Sequence, residues 1–287
     1  MTDTRAGGWS FLRRRRWFGY FAMLILFSLA CVWFGNWQFD RRAEARAEIA
    51  RIDANYDAPA VPLTEAVTNL SDFDEDELKW QTVEATGTYV GEPYLARNRP
   101  AAEGVGSNMI MPLQLTDGTI FFVDRGWVPV AGADEIPANL PAAPEGLVTV
   151  EARLRASEPE IFGRSSTGRS VASINLTELS SQLSSQLNSE RAFTGAYGQL
   201  VSETPSGDTG ILPAKPERDE GPHLSYALQW YVFILIAIIG VAYAARQEYR
   251  NLNAGDASVL REDARRAERR RRRGPSDADV EDAMLDA

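Results

Sequence analysis

The chain has one cysteine and one histidine among 287 residues. Cys31 lies inside a long apolar run, so whatever follows that run has no disulfide and must rely on its own core. The lone histidine, His223, cannot by itself complete a zinc or copper site of the usual nitrogen and sulfur ligand number. A Ser-His-Asp arrangement would have to recruit His223, and the pattern GxSxG does not occur. GVGSNM (104–109) lacks both the glycine spacing and the following helical pattern of a nucleotide-binding loop. Acid pairs such as Asp74 and Asp76 sit in a polar stretch and read as solvated. These absences argue against an enzyme. No internal repeat is found.

Positive charge is scarce in the middle of the chain. Residues 36–222 carry 15 Lys and Arg against 29 Asp and Glu, a formal net of −14. Such a segment repels nucleic acid and anionic lipid surfaces, and it suits a basic protein partner or plain solubility.

Long apolar runs, by contrast, are present twice. Trp17 to Gly35 and Tyr226 to Ala245 contain no charged residue, and about 20 apolar residues cross a bilayer core as a helix. Trp17, Tyr20, Trp33, Trp37, Trp230 and Tyr243 fall near the ends of these runs, where amphipathic rings favour the headgroup level. A Ser-Leu-Ala (28–30) resembles a signal cleavage site, but the run continues through Val32, Trp33 and Phe34, which favours a retained anchor. Arg13–Arg16 precede the first run, and Arg246, Arg250 and the Arg261–Arg273 cluster follow the second. The positive-inside bias then puts both termini in the cytoplasm; Arg41, Arg42 and Arg46 dissent, accompanied by Asp40, Glu44 and Glu48. The predicted layout is a basic cytoplasmic N-terminus (1–16), a first transmembrane helix (17–35), an extracytoplasmic β-rich domain (36–222), a second transmembrane helix (223–245) and a charged, disordered cytoplasmic tail (246–287).

After the first span, residues 36–56 are rich in Ala, Arg and Glu without Pro or Gly, so the helix is predicted to continue into solvent until Pro59 and Pro62. Period-2 alternation marks strands at 80–90, 107–115, 119–130, 146–156, 169–176 and 196–203, with Asp117-Gly118 as a tight hairpin. Leu176, Leu179, Leu183 and Leu187 predict a short amphipathic helix over 175–187. Five to seven strands with one or two helices imply an α+β domain dominated by a small antiparallel, barrel-like sheet, flanked by two transmembrane helices.

On a helix, His223, Tyr226 and Trp230 share one face. An imidazole there can ligate haem iron while the rings pack on the macrocycle, or it can simply cap the span among interfacial aromatics. Arg97 and Arg99 in YLARNRP and Arg125 in FFVDRGWVPV are basic residues in an acidic domain. They suit carboxylates such as propionates, although Asp124 and Arg125 read equally well as a structural salt bridge.

FGNWQFDRR, VEATGTYV, RNRP, MPLQLTDGTIFFVDRGWVP and PHLSYALQWYVF resemble, in this order, the blocks of the surfeit locus protein 1 family of cytochrome c oxidase assembly factors. The resemblance implies an inner- or plasma-membrane protein with two spans that assists haem a delivery to, or stabilisation in, subunit I of a haem–copper oxidase of the respiratory chain. The short stretch before the first span leaves no room for a mitochondrial transit peptide and favours a bacterial plasma membrane. It carries a haem-ligand role to His223, with Tyr226, Trp230 and Arg125 beside the cofactor. Trp37, Gln38, Arg97, Arg99, Trp127 and Gln229 carry over as partner-facing positions toward oxidase or supercomplex subunits. Asp124 stands where the family often has an amide or acid, and the Arg-rich tail is outside the resemblance. The alternative is a cofactor-free accessory subunit that stays bound to the oxidase.

Overall fold

The computed structural model describes residues 8–129, 137, 139–183 and 187–273. A 3-10 turn (Trp9–Arg13) leads into α1 (Arg15–Asn55); β1 (Val61–Pro62), α2 (Leu63–Ala66) and α3 (Glu75–Leu78) follow. Then come β2 (Thr82–Tyr89), β3 (Tyr94–Ala101), β4 (Gly104–Leu115), β5 (Ile120–Pro129), β6 (Leu147–Ala156) and β7 (Ser170–Val171). The chain closes with α4 (Leu176–Ser181), β8 (Ala196–Thr204), α5 (His223–Leu252) and α6 (Ala257–Arg273). Two units result: residues to Glu44 with those from Gly221 onward, and Ala45–Glu220.

The first unit is a helical hairpin. α1 has 41 residues and α5 has 30, and both are long and apolar enough to cross a membrane. Their most apolar windows are only 11% and 6% buried, unlike the core helices of a soluble protein. The two helices run antiparallel. At one end Trp17 donates its indole N–H to Glu248 (3.0 Å), and Phe11, Trp17 and Ala245 are buried together. At the other end Gly35 meets the ring of Tyr231, whose hydroxyl donates to Asn36 Oδ1 at 3.1 Å.

The predicted solvated extension of the first span is present, since α1 continues to Asn55. Its last turns belong to the second unit, where Ile52 and Tyr56 pack with Trp80 and Glu48 accepts the Trp80 indole N–H at 2.8 Å. Burial alone would raise the Glu48 carboxyl, but hydrogen bonds from Trp80 and Arg51 and the charge of Lys79 hold it below its ordinary value.

In the second unit β2, β6, β8, β5 and β4 form a closed ring, with β1 beside β2, and β3 then β7 extending from β4. The expected antiparallel, barrel-like sheet is present, with β5 and β8 the one parallel pairing of the ring (Val123 opposite Gly198). The reason is parity: directions cannot alternate all the way round a ring of five strands. Closure falls between β2 and β4, with Gly87 opposite Leu115. A Cβ on Gly87 would lie 2.3 Å from the Gln114 carbonyl oxygen, so the ring closes through a position that tolerates no side chain. The Asp117-Gly118 hairpin joins β4 to β5 as its sequence indicates. Gly118 adopts φ +87° and donates to Leu115 O, and Asp117 accepts from the Thr119 N–H.

The barrel interior holds Val83, Leu113, Phe121, Val123, Val150, Leu154 and Leu200. A second cluster outside it joins Ile110, Ile120, Phe122 and Tyr197 with Leu176 and Leu179 of α4. β5 is therefore buried on both faces, Phe121 and Val123 inward, Ile120 and Phe122 under α4. The helix predicted over 175–187 is shorter, spanning Leu176–Ser181 with Asn175 capping it through the Glu178 N–H. Residues 184–186 of that prediction lie outside the described residues, as does Val130 of the third predicted strand. Leu183 and Leu187 still pack on the same cluster.

The tail differs from expectation. Residues 257–273 are helical where disorder was predicted, because Ala, Arg and Glu favour helix and the charges are spaced to pair. Arg266–Glu262 and Arg272–Glu268 pair along α6, while Arg246–Glu262 and Arg250–Asp263 clip it to α5. Residues 274–287 of the predicted tail, and 1–7 of the predicted N-terminus, lie outside the described residues.

Candidate functional site

His223 is the first residue of α5, following Pro222, and the Tyr226 N–H closes the first turn on Pro222 O at 3.1 Å. Across the hairpin, Gln38 of α1 presents Oε1 to His223 Nδ1 at 2.9 Å. A carboxamide oxygen only accepts, so Nδ1 carries a proton and donates; in the tautomer this selects, the lone pair is at Nε2. Gly221 (φ +69°) lies against that edge, and a Cβ there would come within 3.3 Å of Nε2. A side chain at position 221 would therefore crowd the Nε2 edge of the ring.

Two turns below His223, Trp230 stacks on Phe34 of α1, ring centroids 4.8 Å apart and planes 19° from parallel. Tyr226 is 49% exposed on the same face as His223. Gln229 is exposed, and Trp37 is 48% exposed on α1. The hairpin thus gathers His223, Gln38, Tyr226 and Trp230 at one end, with Trp37 and Gln229 facing outward nearby. In the sequence Phe34 is one more apolar residue of a span, with no signal that sets it apart. Only the packing of the two helices selects it.

The residues expected in the domain form a separate group. Arg125 was expected to face a carboxylate ligand, and the structure corrects this: the side chain is fully buried, and its carboxylate is the chain's own Glu203. Arg125 Nη2 donates to Glu203 Oε1 at 2.6 Å and to Asp208 O at 3.0 Å, and Tyr89 donates its hydroxyl to Glu203 at 2.9 Å. Burial and the Glu203 charge push the Tyr89 hydroxyl pKa well above its usual range.

The alternative of an Asp124–Arg125 salt bridge fails too, because adjacent strand residues point to opposite faces. Asp124 accepts from Asn108 Nδ2 (2.7 Å) and from the Gly126 N–H (3.0 Å). Its burial raises the carboxyl pKa to about 6.

Arg99 binds Glu158 through two nitrogens, at 2.8 and 2.5 Å. Burial works against ionised Glu158, but hydrogen bonds from Arg99 and the Ile174 N–H keep its pKa lowered. Arg97 donates to Ser165 O at 2.6 Å. Trp127 is buried and donates its indole N–H to Arg99 O at 2.9 Å. Gly126 (φ +104°) passes so close to Gly210 that a Cβ would lie 2.7 Å from the Gly210 carbonyl carbon, which is why a glycine separates Arg125 from Trp127. Glu203, Glu158 and Asn108 carry no local sequence signal as partners, since each lies at least 16 residues from the group it satisfies. The Arg-Gly-Trp and Arg-Asn-Arg blocks are thus structural joints of the barrel.

Among the described residues no group of three or more His, Cys, Asp or Glu is arranged to hold a metal ion. The nitrogen of His223 is the one candidate ligand in the residues that the sequence singled out.

A model of the SURF1 family matches residues 25–235. An uncharacterized SURF1-like protein of Mycobacterium bovis is 32% identical over 247 residues, covering 84% of this chain and 88% of the relative. One from Mycobacterium tuberculosis matches to the same extent. The matched span takes in the Gln38, His223 and Trp230 positions as well as the barrel.

Proposed function

The chain belongs to the SURF1 family, and from that premise we propose that it is an assembly factor for a haem–copper cytochrome c oxidase, assisting haem a on its way to subunit I. The observation that carries this reading is the 2.9 Å hydrogen bond between His223 Nδ1 and Gln38 Oε1. Histidines that ligate metals commonly donate their second ring N–H to a fixed acceptor, which sets the tautomer and aims the other nitrogen. Here that acceptor comes from the opposite helix of the hairpin, beside exposed and stacked aromatic rings.

These residues fit a haem. His223 Nε2 would meet the iron, Tyr226 and Trp230 would line the macrocycle, and Gln38 would orient the imidazole. Bound there, the haem would supply the redox-active iron that the oxidase requires. The chain's own work is to orient the His223 ring through Gln38, to exclude water with aromatic surface, and to offer Trp37 and Gln229 to the oxidase. Arg125 has no part in this, being spent on Glu203.

The setting supports the same reading. Two exposed apolar helices suit a bilayer, and the arginines at Arg13–Arg16, Arg246 and Arg250 favour a cytoplasmic location for both termini, with the barrel on the outer face. The protein acts as a chaperone, since redox chemistry belongs to the haem and its final site.

The test is an absorption spectrum of the full chain purified from cells that make haem a. The wild type is expected to carry haem and His223→Ala to lose it. Gln38→Leu is expected to weaken retention by about tenfold to a hundredfold, the usual effect of losing such an orienting partner. Undiminished haem in His223→Ala overturns the ligand role. Stoichiometric copurification with oxidase and no haem in the wild type would instead support a cofactor-free accessory subunit.

A further inference from the structure

We propose that the end of the helical hairpin remote from His223 binds one anionic phospholipid of the surrounding leaflet, with its phosphate on Arg246 and Arg250 and an acyl chain along Ile239 and Ala242. This rests on the membrane reading above and is independent of the haem role.

A cavity of about 540 Å³ opens there between α5, α6 and the 3-10 turn before α1. Toward the span its lining is apolar and exposed, formed by Ile239, Ala242 and Tyr243, and toward the helix end it carries Arg246, Arg250, Tyr249 and Trp9. The apolar run of α5 ends at Ala245, so Arg246 emerges where the hydrocarbon core stops. Trp9 stacks on Tyr249 with centroids 4.6 Å apart, an aromatic pair of the kind that favours the headgroup level. Apolar wall below and guanidinium groups above match the amphipathic profile of one phospholipid. Basic pockets beside membrane helices on the cytoplasmic side are where anionic headgroups bind.

The surrounding charge selects an anionic lipid over a zwitterionic one. α6 carries eight arginines against three acidic residues, and its ion pairs to Arg246 and Arg250 hold it at this level. Arg13–Arg16 at the start of α1 are exposed at the same end, next to Glu248. A nucleic acid would supply phosphates to this surface but nothing for the apolar wall.

The structure also shows a competitor. Glu262 pairs with Arg246 and lines the cavity, so a lipid phosphate must share Arg246 with it. Removing that carboxylate strengthens lipid binding, an effect opposite to the loss of arginine.

The experiment uses the full chain in mild detergent, titrated with phosphatidylglycerol or with phosphatidylcholine of the same acyl chains, and counts retained lipid by native mass spectrometry. Phosphatidylglycerol is expected to be retained preferentially. Arg246→Gln and Arg250→Gln should each weaken that retention about fivefold, as for one cation at a lipid surface. Ala242→Trp, which fills the apolar wall without changing charge, should weaken it as well, and Glu262→Gln should strengthen it. Equal retention of the two lipids overturns the proposal, as does indifference to Arg246→Gln, Arg250→Gln and Glu262→Gln. Displacement by inorganic phosphate at the lipid's own concentration, with no effect of Ala242→Trp, would identify a plain anion site and overturns it too. Flotation of the wild type with phosphatidylcholine vesicles separates the two readings. A chain that does not float refutes membrane insertion itself, whereas one that floats without lipid preference refutes only this site.

Discussion

Asp124 and Arg125 leave β5 on opposite faces, and each meets burial differently. Arg125 is neutralised by Glu203 in a pair whose side chains are 0% and 3% exposed. Removing one partner strands the other charge in the interior, so Arg125→Ala is expected to destabilise the domain by about 3–5 kcal/mol in denaturant unfolding. Asp124 has only neutral partners in direct contact, Asn108 and the Gly126 N–H, and its pKa rises to about 6. A carboxyl with a raised pKa binds more protons folded than unfolded. Its contribution to stability is therefore present below the unfolded value near 4 and is lost as pH rises through about 6. Asp124→Asn, with Asn108 turning its amide to match, should remove that part of the pH dependence. If wild type and variant show the same slope between pH 4 and 6, the carboxyl is not titrating there. Glu48 and Glu158, both with lowered pKa values, contribute the opposite slope, so only the difference between the two proteins is informative.

At the scale of elements, the hairpin is set by close approach. Gly35 stands 3.0 Å, measured from an added Cβ, from the ring of Tyr231. Gly35→Leu should push the helices apart there, break the Tyr231–Asn36 hydrogen bond and loosen His223 from Gln38. Loss of haem retention with an unchanged helical signal in circular dichroism is the expected result. Gly126→Ala combines a left-handed backbone with a clash against Gly210, and should cost the barrel more than the about 1 kcal/mol of an ordinary Gly-to-Ala strain. The alternating strands and the Asp-Gly hairpin were legible because period-2 burial is a local property of the chain. β3 was not, since Arg97 and Arg99 break the apolar alternation and their partners lie far along the chain. The α6 helix was missed for a related reason. Its few apolar residues suggested disorder, and its stabilising charges are partly supplied by α5.

For the whole molecule, the proposed topology predicts opposite accessibility of the barrel and of α6. With Cys31→Ser as background, a cysteine replacing exposed Glu103 should react with a membrane-impermeant maleimide in intact cells, and one replacing exposed Ser258 only after lysis. Labelling of Ser258→Cys in intact cells would reverse the orientation. The sequence alone determined the two apolar helices, the acidic β-rich segment between them and the family, because hydropathy, charge and short motifs are written in consecutive residues. Tertiary structure alone decided what the singled-out residues do. It pairs His223 with Gln38, 185 positions away, and Arg125 with Glu203, 78 positions away. A hydrogen bond depends on distance in space, and only the packing of two helices or the closure of a five-strand ring brings such groups within 3 Å of each other.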